Sequence, residues 1–80
     1  MLNAVIVGNV VQEFRENKNL SQEVLSGLAG IGRTHLSAIE RGTRTPTLNT
    51  LFKIAFALEI KPHIIIKEIE KRIINKQGNL

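Results

Sequence analysis

The 80-residue sequence contains no cysteine, no aspartate, no tryptophan and no tyrosine. The lack of cysteine excludes disulfides, thiolate metal sites and thiol redox chemistry, and it favours a reducing compartment such as the cytoplasm. No apolar run reaches the roughly 18 residues that a membrane-spanning helix requires. The apolar start MLNAVIVGNVV lacks a basic segment and a cleavage site, so we expect neither a signal peptide nor a membrane partner.

What is present is a short, basic chain. Eleven lysines and arginines against seven glutamates give a formal net charge of +4 at pH 7. Such a charge on so small a protein favours a polyanionic partner such as nucleic acid. Eighty residues allow one small domain, which leaves no room for a small-molecule effector domain and would gain stability from self-association.

Apolar spacing predicts five short helices and therefore an all-α domain. Ser21 is expected to cap the second helix, and Gly30 is expected to end it in a left-handed conformation. Thr45 or Thr47 is expected to cap the fourth helix. The predicted helices are 3–17, 21–28, 32–41, 47–58 and 62–76, within a single domain over 1–78 that is followed by a frayed tail at 79–80.

The last two helices are rich in apolar residues. We expect the fourth helix to turn one apolar face to the core, and we expect isoleucines to align along the fifth. The residues concerned are Leu48, Leu51, Ala55 and Leu58 in the fourth helix and Ile66, Ile69 and Ile73 in the fifth.

The stretch GLAGIGRT, residues 27–34, is one residue away from the phosphate-loop pattern G-x-x-x-x-G-K-[ST], because Arg33 stands where lysine is required. A phosphate loop follows a strand and needs an acidic residue, usually aspartate, to hold Mg²⁺. Here the preceding SQEVLSGLA predicts a helix, and the sequence has no aspartate. The glycines therefore indicate a turn, and we expect no enzyme activity.

The same stretch has the residues that two helices need to cross steeply through a tight turn. The first helix needs an apolar anchor and then a small residue at the crossing. The turn needs a residue that tolerates a positive φ, followed by an apolar plug, and the second helix needs apolar residues three apart. These roles fall, in chain order, to Leu25, Ser26, Gly30, Ile31, Leu36 and Ile39.

Three segments, SQE-x-L, RT-x-[IL]S-x-IERG and P-[ST]-L-x-T-L-x-KIA-x-AL, closely resemble the Cro/repressor-like (Xre) family of helix-turn-helix DNA-binding proteins, from about Val7 to Ile60. The short length and the isoleucine-rich last helix look most like the controller proteins of restriction–modification systems. Two residues depart from the family pattern: Ser26 replaces the usual alanine, and Gly32 replaces the serine or threonine that normally caps the recognition helix.

The resemblance implies a five-helix, lambda-repressor-like domain that acts as a homodimeric, sequence-specific regulator of transcription. Its partners would be double-stranded DNA with a pseudo-palindromic operator, a second copy of itself, and, as a further candidate, RNA polymerase. Restriction–modification genes and its own promoter are the candidate targets. An alternative use of the same fold is a protein-binding antitoxin or a phage adaptor.

Base contacts are expected from the third helix, because a recognition helix presents its N-terminal residues to base edges in the major groove. On a helical wheel, one outward face of that helix contains Arg33, Thr34, Ser37 and Arg41, with Ala38 at its edge. An arginine there can bind guanine O6 and N7 together, and a small apolar side chain can meet a thymine methyl group. The predicted base-contacting residues are Arg33, Thr34, Ser37 and Ala38.

Phosphate contacts are expected on either side of that helix. Gln22 lies at the N-terminus of the second helix, a position that relatives commonly use for a phosphate, and Thr43 and Arg44 follow the recognition helix. His35 is a further candidate. Neither His35 nor His63 has a second ligand nearby, so no metal site and no cofactor are expected.

Two structural roles complete the expectations. The resemblance implies that Arg15 and Glu40 form a partly buried ion pair between the first and third helices. A dimer is expected through the C-terminal part of the chain, because apolar residues there exceed what one core contact can bury. The predicted dimer residues are Phe52, Phe56, Ile65 and Ile69.

Overall fold

The computed structural model describes residues 2–77, and within that range it contains five α-helices and no strand. The all-α architecture of five helices is confirmed, and each observed bound lies within one residue of the predicted one. The predicted frayed tail at 79–80 lies outside the described residues. None of the described helices is long and apolar enough to cross a membrane. They are α1 Ala4–Asn17, α2 Gln22–Ala29, α3 Arg33–Glu40, α4 Leu48–Ala57 and α5 Pro62–Gln77.

Side chains cap three of these helices. Asn3, Ser21 and Thr47 each accept hydrogen bonds from backbone N–H groups two or three residues ahead, at 2.9–3.1 Å. Of the two threonines predicted to cap α4, it is Thr47 that does so. α3 begins differently, because its N-cap Gly32 has no side chain. A glycine cap is weaker than serine or threonine by roughly a few tenths of a kcal/mol, so α3 still begins there.

The core lies where the five helices meet. α1 packs against α3 and α5, α2 packs against α3 and α4, and α4 packs against α5. Their shared interior is apolar, as expected for helices that each bury one face. The largest fully buried side chains are Leu25, Leu36, Ile39, Ile54, Leu58, Ile65, Val10 and Val11.

The buried face of α4 differs from the predicted face at its N-terminal end. Leu51, Ala55 and Leu58 are buried as expected, and Ile54 joins them. Leu48, in contrast, is 64% exposed. It occupies the first helical position, and helical side chains lean toward the N-terminus, so its side chain extends beyond the core. The prediction for Leu48 is therefore wrong.

α5 turns a stripe of three isoleucines toward α1 and α4. Ile65 is fully buried, and Ile69 and Ile73 are nearly so. The prediction that Ile65 and Ile69 form part of a dimer interface is wrong, because both side chains are buried in the core of the single chain. Ile66, expected in line with Ile69, lies instead on the exposed side of the helix.

The last turn of α3 rests directly on the backbone of α1 at Gly8. A Cβ atom at Gly8 would collide with the carbonyl oxygens of Ile39 and Glu40. Just beyond α3, Gly42 adopts a φ of +78°, and a Cβ there would lie 2.9 Å from the Cα of Val5. Because neither glycine has a side chain, the backbone of α1 contacts the backbone at the end of α3. This contact fixes the orientation of α3 on the domain.

Candidate nucleic-acid interface

α2 and α3 are joined by the tight turn that the sequence predicts. Gly30 adopts the left-handed conformation, with φ 69° and ψ 32°, and the backbone N–H of Ile31 donates to the Ser26 carbonyl at 3.0 Å. Ile31 packs half-buried against the core. Ser26 itself is only 3% exposed, so a larger side chain there would meet the neighbouring helix. The turn therefore holds α3 against α2 with one face left outward.

That outward face of α3 carries the predicted base-contacting residues. Arg33 and Thr34 are exposed in the first turn, and Ser37 and Ala38 are half-buried one turn later. His35, predicted as a phosphate contact, is half-buried at the border between the outward and inward faces. The structure thus brings these five residues together on a single helix of eight residues.

Arg41 is a candidate that the predicted site residues leave out. Its guanidinium Nη1 donates a hydrogen bond to the Ser37 hydroxyl oxygen at 3.0 Å, on the exposed side of α3. The helical wheel had already placed Arg41 on the outward face, four residues after Ser37, where such residues are neighbours on a helix. Arg41 therefore extends the charged face from the first turn of α3 to its last.

Thr43, in the loop after α3, closes the end of that helix. Thr43 donates both its backbone N–H and its hydroxyl to the Ala38 carbonyl, each at 3.0 Å. In this conformation its hydroxyl has no hydrogen left for a phosphate, which disfavours the predicted contact. Arg44 is exposed, and its guanidinium has no hydrogen-bond partner among residues 2–77.

Arg15 of α1 and Glu40 of α3 form a buried, bidentate ion pair. The Arg15 Nε donates to Glu40 Oε2 at 2.7 Å, and its second terminal nitrogen donates to Oε1 at 2.9 Å. These side chains are 11% and 2% exposed. The hydrogen bonds with Glu40 raise the pKa of the Arg15 guanidinium, although its burial opposes this. The pair therefore stays charged and ties the end of α3 to α1.

Gln22 joins the same network. Its side-chain amide nitrogen donates to Glu40 Oε1 at 2.9 Å, in addition to the two bonds from Arg15. An amide nitrogen carries two hydrogens, so one remains for another acceptor. The side chain predicted to hold a phosphate is thus oriented by the buried carboxylate at the end of α3.

The five arginines divide into two groups. Arg15 and Arg72 pair with glutamates, Arg72 with both Glu13 and Glu68. The other three, within the range that the structure describes, have no ion pair with any carboxylate. All three lie on α3 or just after it, and they are Arg33, Arg41 and Arg44. Among residues 2–77, the arginines that pair with no carboxylate therefore all lie on the outward face of α3 or just after it.

A separate apolar surface lies on the exposed side of α4. Leu48, Phe52 and Phe56 follow one another at intervals of four residues, and Phe56 is 69% exposed. The rings of Phe52 and Phe56 meet edge to face, with centroids 6.3 Å apart. Leu28 of α2 lies beside Phe56 in a shared groove of about 680 Å³. The two phenylalanines predicted at a dimer interface are therefore accessible to a partner.

Metal ligands are sparse in the part of the chain that the structure describes. Residues 2–77 contain no group of three histidine, cysteine, aspartate or glutamate side chains that could hold a metal ion. His63 is exposed at the start of α5. The chemistry of the α3 face is therefore that of arginines, hydroxyl groups and an imidazole.

Residues 11–65 match the family model HTH_3, described as helix-turn-helix. The chain belongs to the helix-turn-helix family. Because that match spans more than half of the chain and includes the α2–α3 turn, the motif identified from the sequence is confirmed. Members of the family are DNA-binding regulators of transcription rather than enzymes.

Similar proteins narrow the resemblance. The chain is 36% identical to the control protein C.SmaI of Serratia marcescens over 74 residues, which cover 91% of this chain and 84% of that protein. It is 41% identical to the control protein C.BamHI of Bacillus amyloliquefaciens over 59 residues, covering 72% and 73%. The crystal structure of the restriction–modification controller protein C.AhdI of Aeromonas hydrophila is similar, with a TM-score of 0.77, 37% identity, and coverage of 81% and 98%. The predicted resemblance to controller proteins is confirmed.

Proposed function

We propose that this helix-turn-helix protein binds a pseudo-palindromic operator as a homodimer and controls the genes of a restriction–modification system, its own promoter included. DNA binding and regulation of transcription follow from the family. The narrower target is supported by the likeness to C.SmaI, C.BamHI and C.AhdI, which cover most of the chain.

The observation that carries the proposal is which arginines lack a carboxylate partner. Arg33, Arg41 and Arg44 have no carboxylate partner among residues 2–77, whereas both arginines elsewhere do. Arg15 and Arg72 bind carboxylates of the domain itself. Guanidinium groups left unpaired along a recognition helix are suited to DNA phosphates and guanine edges.

In this proposal the outward face of α3 reads the bases. The guanidinium of Arg33 donates to guanine O6 and N7, because it stands in the first turn of the recognition helix. The hydroxyl groups of Thr34 and Ser37 each can donate or accept, and the methyl group of Ala38 can contact a thymine methyl.

The flanks of α3 hold the DNA backbone. Gln22 has an amide hydrogen left beyond its bond to Glu40, and Arg44 has an exposed guanidinium beyond the end of α3. His35, at the edge of the outward face, is the third candidate for a phosphate. Such contacts fix the register of the protein on the duplex without reading its sequence.

A homodimer supplies the second recognition helix. One helix covers only a few base pairs, and helix-turn-helix dimers bind half-sites about 34 Å apart. The exposed apolar stripe of Phe52 and Phe56 on α4 supports this surface for association, now without the isoleucines that the core of the single chain buries. Bound near a promoter, the dimer excludes RNA polymerase or contacts it, and it does so in the cytoplasm of a bacterial cell.

Fluorescence anisotropy with two duplexes tests the base-reading role. One duplex carries the DNA upstream of the chain's own gene, and the other has the same composition in scrambled order. Arg33→Ala is expected to cost about 1–3 kcal/mol on the first duplex and little on the second. Arg44→Ala is expected to weaken binding to both and to lower the salt slope by about one.

Lys71→Ala is the matched control for Arg44→Ala, because it removes one exposed positive charge from α5 rather than from the loop after α3. We expect it to change the affinity for either duplex much less than Arg44→Ala does. An equal loss on both duplexes for Arg33→Ala would show that this side chain does not read a base.

A further inference from the structure

Glu40 accepts hydrogen bonds from two separate side chains through the same oxygen. Its Oε1 atom receives one bond from Arg15 Nη2 and one from the side-chain amide nitrogen of Gln22, each at 2.9 Å. Gln22 is the first residue of α2, and Glu40 is the last residue of α3. The carboxylate that ends α3 therefore also holds the side chain that begins α2.

The charge of Glu40 decides which end of the Gln22 amide faces it. An ionised carboxylate only accepts hydrogen bonds, whereas an amide can present either its carbonyl oxygen or its NH₂ group. Because Arg15 keeps Glu40 ionised, an inward carbonyl oxygen would meet negative charge, and the NH₂ group turns inward instead. One hydrogen of that group is then bound to Glu40, and the other remains for an acceptor outside the protein.

Arg15 fixes the surroundings of Gln22 on two sides. Its Nη1 atom donates to the Leu20 carbonyl at 2.6 Å, two residues before Gln22, while its other two nitrogens bind Glu40. One guanidinium therefore ties the segment that enters α2 to the end of α3. The same group offsets the negative charge of Glu40, which would otherwise repel a phosphate brought to Gln22.

We infer that Arg15 and Glu40 are positioning residues for DNA binding, because they hold the Gln22 amide with one hydrogen on Glu40 and the other available to a DNA phosphate. This rests on the phosphate contact of Gln22 proposed above, and it makes the strength of that contact depend on two side chains behind it. A side chain that is already immobilised loses less conformational freedom on binding. The ion pair therefore contributes to DNA affinity as well as to folding.

Side-chain mobility in the DNA-free protein tests the positioning directly. Gln12 is the internal control, because its amide nitrogen also donates to a carboxylate, that of Glu16 at 3.2 Å, but on the exposed surface. In ¹⁵N relaxation of the side-chain amides, we expect an order parameter near the roughly 0.85 of rigid backbone for Gln22 and one below about 0.6 for Gln12. A Gln22 amide as mobile as that of Gln12 overturns the inference.

DNA affinity is measured in two backgrounds by fluorescence anisotropy with the operator and scrambled duplexes. Arg15→Met combined with Glu40→Leu removes one charge of each sign, so the net charge is unchanged. We expect it to weaken binding to both duplexes by at least about fourfold, from about twofold at each of the two sites of a dimer. When Gln22→Ala is already present, the same double change is expected to alter the affinity by less than about twofold.

The ion pair between α1 and α5 provides the matched control. Arg72 binds both carboxylate oxygens of Glu13, so Arg72→Met with Glu13→Leu removes a bidentate pair of the same kind and the same two charges. We expect this control to bind both duplexes within about twofold of its parent chain, with or without Gln22→Ala.

Glu40→Gln is a second variant of the same contact, for use if far-UV circular dichroism shows the apolar double variant to be unfolded. It keeps the size of the side chain but removes its charge, so either end of the Gln22 amide can turn inward. We expect it to weaken binding to both duplexes, and to do so only while Gln22 is present.

The outcomes separate this inference from the proposed function. If the losses from Gln22→Ala and from the ion-pair variants simply multiply, or if the ion-pair variants lose affinity for the operator alone, the positioning role is wrong and the regulator stands. If Gln22→Ala binds both duplexes as tightly as wild type, Gln22 contacts no phosphate and the inference fails with that contact. A wild-type chain that does not distinguish the two duplexes overturns the proposed operator, whereas the mobility of the Gln22 amide still decides the positioning.

Discussion

Removing either member of the Arg15–Glu40 ion pair is expected to destabilise the domain severely. Glu40→Leu leaves the guanidinium of Arg15, 11% exposed, with the Leu20 carbonyl as acceptor at 2.6 Å and only the exposed Glu16 carboxylate, 3.9 Å away, as an opposite charge. Arg15→Met leaves the carboxylate of Glu40, 2% exposed, with a single bond from Gln22. An unpaired charge in such a place costs about 3–5 kcal/mol, a large part of the stability of an 80-residue domain.

The double variant Arg15→Met with Glu40→Leu is expected to recover much of that loss. It leaves neither charge in the interior, and apolar side chains of similar volume fill the space, a replacement that is often neutral or better. The coupling energy from a double-mutant cycle is therefore expected to reach about 2 kcal/mol or more. Urea unfolding at pH 7, followed by circular dichroism, measures all four chains. Where a single variant is already unfolded, a folded double variant is the expected result. Additive losses in the double-mutant cycle would refute a buried ion pair between Arg15 and Glu40.

Three other changes have defined outcomes. Gly8→Ala forces α1 away from the end of α3, so we expect urea unfolding to show a free energy of unfolding lower by about 1–3 kcal/mol. In the control Gly27→Ala, at an exposed position inside α2, the free energy of unfolding is expected to rise by about 0.5–1 kcal/mol. The hydrogen bonds from Arg72 lower the pKa of Glu13 below its ordinary 4.5, so this pair adds stability above pH 4.5 that disappears as the pH falls further; acid titration of Arg72→Met should lack that component. Arg41→Ala is expected to weaken binding to operator and to scrambled DNA alike, as a lost phosphate contact would, and a loss confined to the operator would assign it to base reading instead.

The turn between α2 and α3 could be predicted from the sequence because its demands are local. A positive φ at Gly30, a small side chain at Ser26 and an apolar plug at Ile31 are properties of single residues at fixed spacing. The same is true of the caps at Ser21 and Thr47, which need only a side-chain oxygen before a helix. Local requirements of this kind leave little choice of structure.

The face of α5 could not be predicted in this way. Isoleucines surround that helix, so the apolar pattern fits several rotations equally well. Only packing against α1 and α4 selects Ile65, Ile69 and Ile73 for the core and leaves Ile64 and Ile66 outside. Which isoleucines are buried depends on the neighbouring helices, so the apolar spacing within α5 alone does not predict it.

Individual side-chain hydrogen bonds could not be predicted from the sequence either. The bond from the Thr43 hydroxyl to the Ala38 carbonyl and the bond from Gln22 to Glu40 depend on side-chain rotamers. Arg72 reaches Glu13 across 59 positions of the chain, a pairing that no local pattern indicates.

The backbone contact at Gly8 bears on how DNA preference can change in proteins of this shape. Because no side chain separates α1 from the end of α3, direct backbone contact sets the tilt of α3 on the domain. Under the proposed function, a new operator would be reached by exchanging outward residues of α3, such as Arg33 and Thr34, which contribute little to the core. Evolution or protein engineering could then change the base preference through these side chains while the orientation of α3 stays constant.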